Sequence, residues 1–385
     1  MLKIRGAHKG NKRVAVADVG SGSAGVAILS IEHGKPARVE AVHRVILPFE
    51  ERTEEQTISG IIGALSESAE KALVETNTKS GSIQNVYAVI RVPWMRSKSI
   101  RAIKKFAGEE RVSSAVISDL ARAALTEEKD FDHKNLIEAS IVRVELNGYA
   151  TANPVGKHAH IVFLSTLVSE CGTRIRVGVE ETIARIFSSK AMLRSGTGAL
   201  LAVLRERSVS HSDYLVVDMT SVATSMFAVH KGAPAHHVLV PEGTRTILKR
   251  VGGSRMPEET VTLMRMLARE HCEDAACIEV KTGMARAEQE LSRVFGEAIG
   301  QLALHGRLPN TLVLSVDPVF ADWLSGFFSR IDFTQFTITT QPFSVEALTP
   351  ESLKNLVISS DPTKATDLGL LVAAALVNSE LQITR

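Results

Sequence analysis

An α/β fold of two duplicated βββαβα units, with a small α+β unit set between them, is predicted by three observations. The same hairpin is written twice, about 200 residues apart. The first copy reads Arg13-Val-Ala-Val-Ala-Asp18-Val-Gly20-Ser21-Gly22-Ser23, and the second Asp213-Tyr-Leu-Val-Val-Asp218-Met-Thr220-Ser221-Val-Ala-Thr224. In each, an apolar strand ends in Asp, a run of Gly, Ser and Thr turns the chain, and a second strand leaves. A third strand and a helix follow both copies. Between the copies, residues from about 96 to 190 break the pattern with a helix and two long strands.

Taken in order, strands are expected at 13–19, 25–32 and 37–47. Their near-continuous apolar runs suit strands buried on both faces. The stretch 53–75 carries Ile58, Ile61, Ile62, Leu65, Ala69, Ala72 and Leu73 on one stripe and reads as a helix. The strand 86–92 ends at Pro93. In the intervening unit, 113–126 is a helix with Val116, Leu120, Ala123 and Ala124 inward. Strands 136–146 and 158–169 follow, joined through Asn147-Gly148 and Asn153-Pro154-Val155-Gly156, which are turn signals. Helices are expected at 180–189 and 196–207, and the second strand trio begins at 213. A helix spans 242–251, stopped by Gly252-Gly253, and 257–306 reads as helical with a break near Asp274. A strand at 311–316 precedes a helix at 318–330, with Asp317 at its N-cap and Pro318 in its first turn. A strand at 334–341 and an Ala- and Leu-rich helix at 367–379 close the chain. The implied units are a basic tail (1–12), a first lobe (13–95), an inserted unit (96–190) and a second lobe (191–385). The second lobe carries a helical part at 242–306, and the closing helix packs back on the first lobe.

Composition narrows the function classes. Of 385 residues, 44% are apolar and 23% charged, and the net charge of +2 favours no nucleic-acid partner. Cys171, Cys272 and Cys277 are too few for a disulfide framework and read as reduced thiols. His271, Cys272 and Cys277 lack a fourth ligand for zinc. The start of the chain has no apolar signal segment, and no run reaches 18 apolar residues, so a cytoplasmic location is expected. The basic stretch 94–106 reads as a solvated face, with docking on anionic lipid or an acidic tail as the alternative. His236 and His237 fall in a strand and point to opposite faces. No Ser-His-Asp order or other hydrolytic signature stands out.

The repeated turn carries the chemistry. Backbone N–H groups and hydroxyls exposed at such a turn suit phosphate oxygens. A carboxylate at a strand end suits a hydrated Mg²⁺. Two such turns facing each other would grip a nucleotide from both sides.

The order hairpin, insertion, hairpin, helical unit and strand resembles the actin-like (ribonuclease H-like) ATPase superfamily. Within it, the placement of the insertion and the stretch Asn147–Lys157 resemble the FtsA/PilM type, with its SHS2-like subdomain. The resemblance implies ATP and Mg²⁺ as ligands. Asp18, Gly20, Ser21, Gly22 and Ser23 would hold the β- and γ-phosphates, and Asp218, Thr220, Ser221 and Thr224 would form the second turn. Asp18 and Asp218 would be the metal carboxylates. Two departures weaken that reading. Thr220 stands where the family has glycine, and threonine resists close approach and positive φ. Leu314-Ser315-Val316-Asp317-Pro318 stands where the family has a Gly-Gly pair. They predict nucleotide binding that is weak or lost, and turnover that is slow at most. The expected role is a scaffold that self-associates or docks a cell-division or pilus-assembly protein, reaching the inner face of the membrane through that partner. The alternative is a small-molecule kinase or phosphotransferase of the same superfold, for which no general base stands out.

Overall fold

The computed structural model describes residues 12–83, 85–207, 213–272, 274–359, 361 and 366–383. Nearly all of the expected basic tail lies outside them. The chain opens with three antiparallel strands, β1 (Lys12–Val19), β2 (Ser23–Ile31) and β3 (Ala37–Ile46). Helix α1 (Glu54–Glu75) follows, its N-terminus fixed by a capping box between Thr53 and Gln56. Strand β4 (Asn85–Ile90) then returns parallel to β1.

The inserted unit is β5 (Met95–Arg111), α2 (Ser114–Glu127), β6 (Leu136–Leu146), β7 (Tyr149–Ala150) and β8 (His158–Cys171), a sheet in the order β5-β8-β6-β7. β5 covers the stretch read above as a solvated face. It was illegible as a strand because it is a charged sheet edge, exposed along most of its length, where cations discourage further pairing. The unit ends earlier than residue 190. Helix α3 (Thr173–Phe187) buries Ile175, Val179, Ile183 and Ile186 against α1 and the first sheet, and β9 (Ala191–Ser195) pairs with β4. Both therefore belong to the first lobe, and the helix expected at 180–189 starts earlier. The chain returns to the first sheet once the insertion closes, so the boundary follows that strand pairing.

Helix α4 (Gly196–Arg207) crosses to the second lobe. There β10 (Tyr214–Met219), β11 (Thr224–His230) and β12 (Ala233–Val240) repeat the antiparallel trio. Helices α5 (Thr244–Gly252), α6 (Pro257–Ala268) and α7 (Ala275–Ala303) form the helical part. Strand β13 (Thr311–Ser315) runs parallel to β10, as β4 does to β1, and α8 (Pro318–Arg330) follows. Asp317 caps α8 by accepting from Val319 N at 3.0 Å. The strand expected at 334–341 is instead a short 3₁₀ turn at Thr334–Phe336, held by Asp332, and the place beside β13 goes to β14 (Ser344–Ala347). Strand β15 (Val357–Ser359) adds to the edge of the first sheet beside β3, and α9 (Leu368–Ile383) closes the chain.

The duplication is visible in topology. The first sheet runs β15-β3-β2-β1-β4-β9 and the second β12-β11-β10-β13-β14, so both share one five-strand order. Alternate residues of each central strand feed separate cores. Ala15, Ala17, Val26 and Ile28 pack under α1 and α3, whereas Val14, Val16 and Leu29 join Val216 and Phe227 of the second sheet around α4 and α9. The closing helix thus packs against the first lobe and also fills the space between the two sheets. Leu215, Val217 and Met226 face α5, α7 and α8. Among the described residues no helix is long and apolar enough to cross a membrane.

Cys272 and Cys277 are joined in a disulfide at the corner between α6 and α7, which corrects the reading of three reduced thiols. Their Cα atoms are 5.8 Å apart, within the span a disulfide bridges. Cys171 is free and buried.

Candidate functional site

Asp18 and Asp218 are the penultimate residues of β1 and β10, and the fold brings both to the seam between the lobes. Each is only 3% exposed. One side chain joins them. Arg91, just after β4, donates from Nε to Asp18 Oδ1 at 2.6 Å and from Nη1 to Asp218 Oδ1 at 3.0 Å. Parallel pairing with β1 sets Arg91 there, and its backbone N–H donates to Val19 O.

A second guanidinium reaches Asp18 across β2. Register places Asp18 beside Gly25 and Gly25 beside Arg44. A Cβ on Gly25 would approach Arg44 Cζ at 3.2 Å, so the glycine leaves a path for the side chain. Arg44 Nη2 donates to Asp18 Oδ2 at 2.7 Å, Nη1 to Ser23 Oγ at 2.8 Å, and Nε to Asp367 Oδ2 at 2.5 Å. Asp367 also accepts from Leu370 N in the first turn of α9. In that turn, a Cβ on Gly369 would collide with Asp18 Oδ2.

The second lobe has no equivalent of Arg44, because Ser225 and Leu239 occupy the matching register. Asp218 has Arg91 and the Ser315 hydroxyl, which donates to Oδ1 at 2.8 Å. The electrostatics follow. Burial alone would raise both carboxyls. At Asp18 the two guanidinium groups overcome burial and hold the pKa below its ordinary value. At Asp218 burial prevails over one guanidinium and the pKa is raised. Both arginines are held more firmly protonated by the carboxylates.

The two turns touch. Ser21 Oγ lies 3.1 Å from Thr220 Oγ1 and accepts from Val222 N at 3.1 Å. A Cβ on Gly22 would clash with Ser221 Oγ. Thr220 Oγ1 donates toward Val92 O and Ala223 O. Trp94 Nε1 donates to Gly20 O at 2.8 Å. Three of the turn N–H groups are spent inside the protein: Gly20 N on Ser23 O, Thr220 N on Ala223 O and Val222 N on Ser21 Oγ. Thr224 Oγ1 donates to Glu242 O at 2.6 Å, and the first N–H groups of α5 bond Thr220 O and Ser221 O.

The structure thus brings together all nine residues expected at the site: Asp18, Gly20, Ser21, Gly22, Ser23, Asp218, Thr220, Ser221 and Thr224. It also adds four that sequence reasoning missed: Arg91, Arg44, Asp367 and Ser315. The residues present do not fit ATP with Mg²⁺. A hydrated cation needs carboxylate oxygens free of competing positive charge, and every oxygen of Asp18 and Asp218 accepts from a guanidinium. Phosphate needs room between the turns and their hydroxyls and N–H groups free to donate; the Gly22–Ser221 approach and the Ser21–Thr220 contact take the room, and Gly20, Thr220 and Val222 N–H are already engaged.

The inserted unit is tied to both lobes. Glu138 of β6 is buried and accepts from Ser195 N at 3.1 Å and Ser195 Oγ at 2.5 Å. His237 of β12 donates from Nδ1 to Ser97 O of β5 at 3.0 Å, which leaves Nε2 to accept from Ser225 Oγ at 2.6 Å. Burial pushes its pKa down to about 4, so the ring is neutral. His236, on the opposite face, stacks on His305 with ring centroids 3.7 Å apart.

No protein-family model matches the sequence, and no curated protein shows significant sequence similarity to it. Solved structures do match. The chain superposes on a PilM-PilN type IV pilus biogenesis complex structure with a TM-score of 0.57, at 14% identity, covering 97% of this chain and 99% of that one. Ethanolamine utilization protein EutJ from Carboxydothermus hydrogenoformans gives 0.46 at 11% identity, over 94% and 90%. ROK hexokinase from Thermus thermophilus gives 0.40 at 14% identity, over 96% and 99%. The chain has the actin-like ATPase fold.

Proposed function

We propose that this protein is a docking scaffold on the actin-like fold whose interlobe cleft is closed by its own side chains rather than by a nucleotide. The carrying observation is Arg91, which bridges Asp18 and Asp218 where a cation and phosphates would have to enter. A protein of this kind works by presenting surfaces. In the PilM-PilN complex, PilM is bound to another protein, and by analogy the partner here is a component of an envelope-assembly machine. The location that fits is cytoplasmic, at the inner face of the membrane through that partner, for a pilus-type or division-type assembly.

The kinase reading is disfavoured by the same geometry. A phosphoryl-transfer enzyme needs an accessible base and a metal-bound phosphate chain. The two central carboxylates are buried and ion-paired. Calorimetry with Mg-ATP, alongside ATP turnover across a sugar panel, tests the proposal. The expected result is no saturable heat and no sugar-stimulated turnover. Saturable 1:1 binding of Mg-ATP would overturn it, and the same titration on Arg91→Met asks whether the guanidinium is the obstacle.

A further inference from the structure

The corner between α6 and α7 holds chemistry that the scaffold reading does not use. Cys272 lies in the connection and is partly exposed, whereas Cys277 is 1% exposed in the first turn of α7. Asp274 caps that turn by accepting from Cys277 N at 2.9 Å. The positive end of a helix favours a thiolate. We propose that Cys272 and Cys277 form a reversible dithiol–disulfide site that exchanges with small disulfides of the oxidised-glutathione class.

The asymmetry of the pair sets the order of events. Cys272 is the sulfur that a small reagent can reach. Its thiolate attacks one sulfur of the small disulfide, forming a mixed disulfide and releasing one small thiolate. The Cys277 thiolate then attacks Cys272 Sγ, forming the intrachain bond and releasing the second small thiolate. Two electrons pass from the protein to the small disulfide, and the two thiol protons end on the two released thiols. Reduction runs the same steps backwards.

Two observations favour a reversible site over a permanent staple. The bond closes a ring spanning only residues 272–277, and short rings restrain the unfolded chain least. The corner also has its own apolar packing, since Leu263, Met264 and Val280 share the core with Cys277. The remaining cysteine does not compete. Cys171 is 2% exposed, and burial pushes its thiol up to about 12.

The corner is also mechanically joined to the cleft. Gly283 of α7 packs backbone to backbone on Val251 of α5, and the N-terminal amides of α5 hold Thr220 O and Ser221 O. A looser start to α7 is therefore passed through α5 to the second turn.

The test uses the full-length protein equilibrated in a series of reduced-to-oxidised glutathione ratios, acid-quenched, denatured and labelled with maleimide. Intact mass then counts free thiols. The expected count rises from one to three as the ratio becomes reducing, with half-conversion inside the series and no disulfide-linked dimer. Cys272→Ser and Cys277→Ser should each form no intrachain bond at any ratio. Hydrogen exchange at the start of α7 should rise at least about tenfold on reduction. A count of three at every ratio would overturn the proposal. So would a count of one that persists under excess thiol in the folded protein, which marks a permanent staple. Release of one zinc per chain on thiol labelling would overturn it in favour of a thiolate metal site.

Discussion

Replacing Arg91 by Met keeps the stem of the side chain and deletes its charge. Arg91 is 7% exposed and bonds two carboxylates that are each 3% exposed. Removing one partner of a buried ion pair costs about 3–5 kcal/mol, because the charge left behind has lost its compensation. Asp18 keeps Arg44 and Ser315 still donates to Asp218, so the lower half of that range is expected. At this chain length, with an unfolding entropy of about 0.8 kcal/mol/K, the loss corresponds to a fall of about 4–5 °C in melting temperature at pH 7.

The pH dependence separates this cause from simple loss of packing. Asp218 has a raised folded pKa. Its favourable contribution is fully present below the unfolded value of about 4 and is lost as pH rises through the folded value. Without Arg91 that folded value rises further, so the deficit is largest at neutral pH and shrinks toward pH 5. Asp218→Asn removes the stranded charge with little change of shape. In the Arg91→Met background it should restore stability, whereas in wild type it should be neutral or mildly destabilising. Coupling of about 1–3 kcal/mol between the two substitutions is expected from calorimetric melts of the four proteins. Equal deficits at pH 5 and pH 7, or coupling below about 0.5 kcal/mol, would refute the view that Arg91 acts as the counter-ion of both lobes.

Three further outcomes follow from the same contacts. Asp18→Asn should cost more than Asp218→Asn, by about 1–2 kcal/mol, because it leaves Arg91 and Arg44 facing a neutral amide; the acid limb of unfolding should weaken with it, since the lowered Asp18 pKa stabilises the fold above the unfolded value near 4 and that stability is lost as pH falls. Gly369→Ala, which improves helix propensity by about 1 kcal/mol, should nevertheless lower the melting temperature, because its Cβ meets Asp18 Oδ2 and that oxygen is pinned by Arg44. His237 is neutral in the fold with its pKa near 4, so the wild type should lose up to about 3 kcal/mol between pH 6.5 and 4 as the unfolded chain gains a proton; His237→Asn should flatten that limb and raise hydrogen exchange at the β5–β12 seam.

The duplicated hairpins were legible because their signal is local: apolar runs, an Asp at each strand end and turn residues in a fixed order. The central strand trios and the helices at 53–75 and 113–126 follow from periodicity for the same reason. Arg91 was visible only as a single charge ending an apolar strand. Its partners lie 73 and 127 residues away, and no spacing rule in one sequence pairs them. Arg44 was harder still. It reaches Asp18 only because Gly25 stands between them in register, a relation that exists only after the sheet forms. Thr220, read as an obstacle to phosphate, has a positive use: its hydroxyl bonds Ser21 of the opposite turn and the carbonyl of Val92. The edge strand β5 failed to register because charge on an edge looks like charge on a surface.

Closure by a side chain differs physically from closure by a ligand. A ligand that bridges two lobes stabilises them by an amount that grows with its concentration relative to its dissociation constant. A guanidinium on the same chain has no such dependence, since its effective concentration is fixed by the strand that carries it. On the proposed reading, the lobes stay closed at any nucleotide level. The inserted unit shares that rigidity, through Glu138 to the first lobe and through His237 to the second. A partner that meets the insert thus meets a preformed surface and loses little free energy to ordering it. On that reading, control enters by what is docked, or by chemistry at a site that loosens one lobe.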